Sequence, residues 1–192
     1  MKVNDLFNGI HNRQIEGTMM HHSLGVMFEF LNLNGFAEMQ RMRYKNESKE
    51  MEKVEVYFIR HYNMLMGREN LNIKNYIPDE WFESNRFEVD RKYKEDSVKS
   101  ILEVWITWER ESKKNYETCY SGLIDIREIA GAIFVNELVK DVDSELCFAE
   151  ELYLDLFSNN FDIMRIEELN CKICKKYKCY KERKVDENEF KS

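Results

Sequence analysis

Carboxylates that fall on apolar helix faces are the residues of this sequence with the clearest capacity for chemistry. At 100° per residue, the apolar arc of each of four predicted helices includes or borders at least one acid. These acids are Glu16, Glu47, Glu50, Glu109, Glu137 and Asp141, with Glu145 on the same face as Asp141. A buried carboxylate without a partner is costly, so each needs a proton, a cationic side chain or a metal ion beside it.

The elements that would position these acids are long helices. Apolar residues recur at helical spacing over about residues 4–31, 36–66, 89–120 and 124–157. With only 7 Gly and 1 Pro in 192 residues, the chain has few of the turn residues that a β-rich fold requires. We therefore expect an all-α protein.

The connections between the helices predict how they are arranged. Asn32–Gly35 and Ser121–Gly122 are expected to form short turns, which place consecutive helices antiparallel. Residues 67–87 contain the only proline, Pro78, and read as a long connection that can hold one short helix. A short helix at 163–169 and a basic tail follow, so the expected organisation is a four-helix bundle at 1–160 and a tail at 161–192.

The first helix shows how an inward acid is inferred. Its apolar arc is expected to run through Ile15, Met19, Met20 and Phe30, with Glu16 near the middle. The height of each acid along its helix can be counted from the loop that joins the two helices of a pair, at about 1.5 Å per residue. Within each antiparallel pair, the heights of the acids agree to within roughly two turns of helix. The acids could therefore meet near the middle of the bundle.

This arrangement resembles the ferritin-like superfamily. Two short strings are also similar to ferritins, Asn12-Arg13-Gln14-Ile15 in the first helix and Phe134-Val135-Asn136-Glu137-Leu138-Val139 in the fourth. The resemblance covers about residues 4–157 and implies an antiparallel four-helix bundle with a long crossover between helices 2 and 3. It also implies a di-iron or di-manganese centre, with two ions per chain and ferroxidase or other oxidoreductase chemistry on Fe(II), O₂ or peroxide. The expected metal ligands are Glu16, Glu47, Glu50, Glu109, Glu137 and Asp141.

The sequence departs from the ferritin pattern in ways that leave alternatives open. The chain contains no Glu-x-x-His, and a count from Tyr44 would select Glu52 and Glu55 instead of Glu47 and Glu50. The ferritin glutamate of the first helix aligns with Thr18.

Several basic residues could also neutralise the inward acids without a metal, namely Arg13, Arg43, Arg110 and Lys140. In that alternative the chain is a non-catalytic interaction or assembly protein. An arginine or lysine lying among the acids would argue for it, whereas acids converging on an empty space would argue for a metal.

Histidine and cysteine offer weaker signals. His22 is expected to border the apolar face of the first helix and His21 to point away from it. Zinc binding by Cys171, Cys174 and Cys179 is disfavoured, because zinc takes four ligands and only these three are close in sequence. Cys119 and Cys147 are expected to be buried.

Composition restricts the partners. The formal net charge of −7 argues against binding to nucleic acid or to an anionic membrane surface. The sequence has no apolar run of the roughly 20 residues that a membrane helix needs, and no secretory signal, so a cytoplasmic location is expected. Contacts through helix faces would make the protein a homo-oligomer.

Overall fold

The chain forms five α-helices in a computed structural model that describes residues 2–67, 71, 74–82 and 89–177. The helices are α1 Val3–Phe30, α2 Asn34–Tyr62, α3 Arg91–Asp125, α4 Ile129–Ser158 and α5 Ile163–Tyr177. A single 3₁₀ turn at Asp79–Trp81 lies in the long connection between α2 and α3. The described residues contain no strand, and none of their helices is long and apolar enough to cross a membrane.

The four long helices form the predicted bundle. α1 packs along α2, α3 packs along α4, and α1 joins the two pairs by packing on α3. The fold class inferred from the sequence is confirmed, including the long crossover between the second and third helices. α5 continues beyond its predicted end at residue 169 and packs against the start of α2.

The turns show where sequence reasoning placed a boundary wrongly. Between α1 and α2, Asn32 takes a left-handed conformation with φ 58°, as its residue type favours. The break between α3 and α4 was expected at Ser121–Gly122, but α3 continues to Asp125 and Arg127 makes the turn with φ 62°. Gly122 instead lies on the buried face of α3, so this glycine is used for packing.

Two apolar clusters fill the bundle, one towards each end. The larger cluster includes Met20, Phe36 and Trp105 and lies towards the α1–α2 turn. The smaller includes Phe7, Phe58 and Leu123 and lies towards the α3–α4 turn. Between the two levels, each of the four long helices contributes polar or charged side chains: Gln14 from α1, Gln40, Arg43, Glu47 and Glu50 from α2, Glu109 and Ser112 from α3, and Glu145 from α4. The core is therefore divided by a polar layer at mid-bundle.

α5 is fixed to the bundle through the first turn of α2. The Asn170 side-chain oxygen accepts a hydrogen bond from the Gly35 N–H at 2.8 Å, which satisfies one of the free donors at the α2 N-terminus. A Cβ atom on Gly35 would lie 2.2 Å from the Asn170 carbonyl oxygen, so only glycine allows this close approach. Ile166 and Cys174 are fully buried on the inner side of α5.

The cysteine predictions have mixed outcomes. Cys119 is buried as expected, and its thiol donates to the Leu6 carbonyl oxygen at 3.4 Å. Cys147 is exposed, so its predicted burial is wrong. Cys171 is exposed while Cys174 is buried, and Cys179 lies outside the described residues.

Candidate metal centre

Glu109 is the most enclosed acid of the polar layer and lies on α3. Its exposure is 0%, and its Oε1 accepts a hydrogen bond from the Trp105 indole N–H at 2.8 Å, one turn earlier on the same helix. Its second oxygen, Oε2, is also buried and has no hydrogen-bond partner among the described residues. Because a buried carboxylate oxygen is costly to leave unpaired, this atom is available for a proton or a cation.

His21 lies across from Glu109 on α1 and is equally enclosed. Its exposure is 0%, and its Nδ1 lies 2.7 Å from Gln40 Oε1 on α2. Because an amide oxygen can only accept, the proton of His21 is on Nδ1, and Nε2 is directed to the cluster. Nε2 lies 3.5 Å from Glu109 Oε1 and makes no hydrogen bond with the described residues. The orienting amide is the kind of outer contact that fixes a metal-binding histidine.

Opposing influences act on the protonation of His21. Burial lowers its pKa, but the neighbouring Glu109 and Glu47 favour the imidazolium, and the net effect is a raised pKa. Without a metal, His21 therefore tends to hold a second proton against Glu109. A metal ion at Nε2 would have to displace that proton.

Glu145 completes the cluster from α4. One ligand atom from each of His21, Glu109 and Glu145 can be chosen so that all three lie within 4.8 Å of one another. Among the described residues, no other group of three or more His, Cys, Asp or Glu side chains meets this condition. Glu145 also forms an ion pair with Arg43 of α2, and both side chains are half-buried.

Glu47 and Glu50 extend the cluster along α2. Burial is the main cause that raises the pKa of Glu47 to about 8, and Glu50 and Glu109 raise it further, against His21 and Arg13. Burial and Asp141 raise the pKa of Glu50 to about 7. The Glu47 carboxyl group lies beside Gly17 of α1, where a Cβ atom would be 3.4 Å from it. At pH 7 the Glu47 carboxyl group is therefore mostly protonated and the Glu50 carboxyl group about half protonated, and a bound cation could displace these protons.

The structure brings together only some of the predicted ligands. Glu47, Glu50 and Glu109 interact electrostatically with one another in the polar layer. Glu16 is half-buried beside Arg13, with 3.9 Å between its Oε2 and Nη1 of the arginine. Glu137 is exposed, which corrects its expected place at the edge of the apolar face of α4.

Asp141 is also exposed, so its predicted inward orientation is wrong, although its charge reaches Glu50. One turn further along α4, Glu145 takes the inward position. The sequence pattern had placed Glu145 on this face without selecting it as a ligand.

His21 is the residue that sequence reasoning missed. His21 is fully buried and His22 exposed, the reverse of the prediction. The buried face of α1 includes Gln14, Gly17 and His21, while Met19 is 40% exposed. An apolar arc calculated from hydrophobic residues alone is therefore rotated away from the true buried face. The Glu-x-x-His pattern gave no signal because this histidine comes from a different helix than the glutamates of α2.

The donor set fits a first-row transition metal. Carboxylate oxygens suit Mn²⁺ and Fe²⁺, and imidazole nitrogen suits iron. The three donor residues come from three different helices, and two of them contain a buried atom, His21 Nε2 or Glu109 Oε2, that makes no hydrogen bond with the described residues. These residues could hold a cation, with Glu47 and Glu50 near enough to add carboxylate charge.

Comparison with known proteins identifies the fold. No protein-family profile matches this sequence, and no curated protein sequence does. An iron-soaked crystal structure of a variant of PmFTN aligns with a TM-score of 0.68 at 15% identity, over 89% of this chain and 98% of that chain. An open-pore ferritin from the archaeon Archaeoglobus fulgidus aligns with a TM-score of 0.70 at 15% identity, over 90% of this chain and 94% of that chain. The fold is ferritin-like. At this identity the likeness concerns the ferritin-like fold alone.

Proposed function

We propose that this ferritin-like bundle binds iron or manganese at the mid-bundle cluster of His21, Glu109 and Glu145. The observation that carries the proposal is a pair of buried atoms, His21 Nε2 and Glu109 Oε2, that make no hydrogen bond with the described residues, with His21 Nε2 only 3.5 Å from the other oxygen of Glu109. A bound cation would stabilise buried donor atoms that make no hydrogen bond with the protein. The iron soaked into the similar PmFTN structures supports iron as the first metal to test.

The chain's own residues would prepare the site. Gln40 holds the Nδ1 proton of His21, so that the Nε2 lone pair is directed inwards. Trp105 holds one oxygen of Glu109 and leaves the other oxygen for the metal. The apolar clusters above and below restrict water. Bound iron would supply the chemistry of Fe(II) with O₂ or peroxide, which makes a ferroxidase or other oxidoreductase activity the one to test.

Metal content tests the proposal. The protein is purified without a metal-affinity tag, exposed anaerobically to Fe(II) or Mn(II), desalted and assayed by elemental analysis. We expect stoichiometric metal in the wild type and loss of at least ten-fold in affinity in His21→Gln, since loss of a ligand or its orienting partner typically costs 10–100-fold. His22→Gln is the matched control, because His22 is the exposed neighbour. Equal metal content in the two variants, or none in the wild type, would contradict the proposal.

A second candidate function is supported by the ion pair between Arg43 and Glu145. A basic side chain within the cluster neutralises an acid without any metal, as a purely structural polar layer would require. In that case the bundle is an interaction or assembly protein. Exposed apolar side chains such as Ile133, Leu154 and Phe157 on α4 would then be contacts with a second copy of the chain. Lack of metal binding, together with a stable oligomer in sedimentation analysis, would favour this function.

A further inference from the structure

Arg43 places a fixed positive charge against the cluster. Its guanidinium forms an ion pair with Glu145 Oε1, and the two side chains are 17% and 16% exposed. The guanidinium carbon lies 5.4 Å from the centre of the Phe148 ring and 5.9 Å from that of Trp105. These contacts hold the arginine beside the acids, unlike a flexible surface side chain.

The charge of Arg43 acts on more than one acid. Burial lowers the pKa of Arg43, while the charges of Tyr177, Glu109, Glu47 and Glu50 act in the opposite direction. An arginine keeps its proton in proteins, so this charge is permanent. Whenever Glu145 is ionised, the guanidinium therefore neutralises its charge.

We propose that Arg43 takes the place of a second metal ion, so that the site binds a single cation where the ferritin-like resemblance implies two. The donor atoms of the cluster fall into two sets, those open to a first cation and the one that is paired with Arg43. His21 Nε2 and Glu109 Oε2 make no hydrogen bond with the described residues and would serve the first cation with one oxygen of Glu145, whereas the Oε1 atom of Glu145 is already paired with the guanidinium. A second dication beside Arg43 would be repelled by its charge, and to bind Glu145 Oε1 it would have to break the ion pair. This inference rests on the proposed function.

The stoichiometry of Mn(II) binding tests this inference on the full-length, metal-free protein. Mn(II) is titrated anaerobically, and the bound ion is counted by electron paramagnetic resonance and by elemental analysis after desalting. We expect about one Mn(II) per chain in the wild type and about two in Arg43→Gln, because the substitution frees the Oε1 atom of Glu145 and removes the repelling charge. Arg43→Lys keeps the charge and should remain at about one. Arg41→Gln is the matched control on the same helix, since Arg41 is exposed and pairs with Glu29 and Glu38.

The outcomes separate this inference from the proposed function. One ion in both the wild type and a folded Arg43→Gln, with binding abolished by His21→Gln, would overturn the role of Arg43 and leave the metal site intact. Two ions in the wild type would also overturn it. No ion in the wild type or in any variant would overturn the proposed function itself. Circular dichroism checks that Arg43→Gln is folded, and Arg43→Met offers a second neutral variant if it is not.

Discussion

Glu47 links the ionisation of the mid-bundle polar layer to the stability of the fold. Its pKa rises from the usual 4.5 to about 8, chiefly because the side chain is buried. Between these pH values the unfolded chain releases the Glu47 proton while the folded chain retains it. The free energy of unfolding contributed by this group therefore falls as pH rises from about 4.5 to 8 and is constant beyond.

Replacement of Glu47 by glutamine should remove this pH dependence in the metal-free protein. We expect Glu47→Gln to become progressively more stable than the wild type as pH rises from 5 to 8, by up to about 1.4 kcal/mol per pH unit. Denaturant unfolding at each pH measures the difference. Glu117→Gln, at an exposed position on α3, should show no such trend. A stability difference between Glu47→Gln and the wild type that does not change with pH would show that Glu47 is ionised normally.

The site could be predicted only in part at the residue scale. The acids Glu47, Glu50 and Glu109 were identifiable because charged residues on an apolar helical face stand out against their neighbours. His21 was not, since the buried face of α1 includes the polar Gln14 and the small Gly17, which carry little hydrophobic signal. The pairing of Arg43 with Glu145 depends on the relative rotation of α2 and α4, and no single helix pattern contains that information.

At the scale of the elements, long stretches with apolar residues at helical spacing, together with few glycine and proline residues, were sufficient to predict the helices. The four long helices lie where their periodicity placed them. The α3–α4 boundary was misplaced because a glycine on a buried helical face resembles a glycine in a turn when only sequence is read. Asn32 was read correctly, since its side chain favours the left-handed conformation that the turn requires.

The contact between α5 and α2 gives a prediction for an element boundary. Gly35→Ala would place a Cβ atom 2.2 Å from the Asn170 carbonyl oxygen, so α5 must shift. We expect a loss of about 1–3 kcal/mol in the free energy of unfolding, the usual cost of an overpacked contact. Hydrogen exchange should also become faster in α5.

Gly9→Ala provides the control for this prediction. Gly9 lies inside α1, and a Cβ atom there meets nothing within 4 Å. Alanine should therefore stabilise the helix by about 0.5–1 kcal/mol. Equal effects of the two substitutions would contradict the close packing of α5 on α2.

At the scale of the whole molecule, the bundle has two apolar clusters separated by a polar layer. Without a metal, folding buries His21, Glu109 and much of Glu47 and Arg43 in that layer. The free energy of unfolding is therefore lower than a continuous apolar core would give. A cation bound to the folded chain and not to the unfolded chain would restore part of that stability. The polar layer is therefore the part of the core that the proposed cation would stabilise.

Anomalous diffraction is the most direct test of the proposed metal site. Crystals of the metal-free protein are soaked anaerobically in Mn(II), and data are collected at a wavelength where manganese scatters anomalously. We expect one strong peak per chain between His21 Nε2, Glu109 and Glu145, with Arg43 still paired to Glu145. A map without a peak in the polar layer, in crystals that remain intact and saturated with Mn(II), would contradict the proposed metal site.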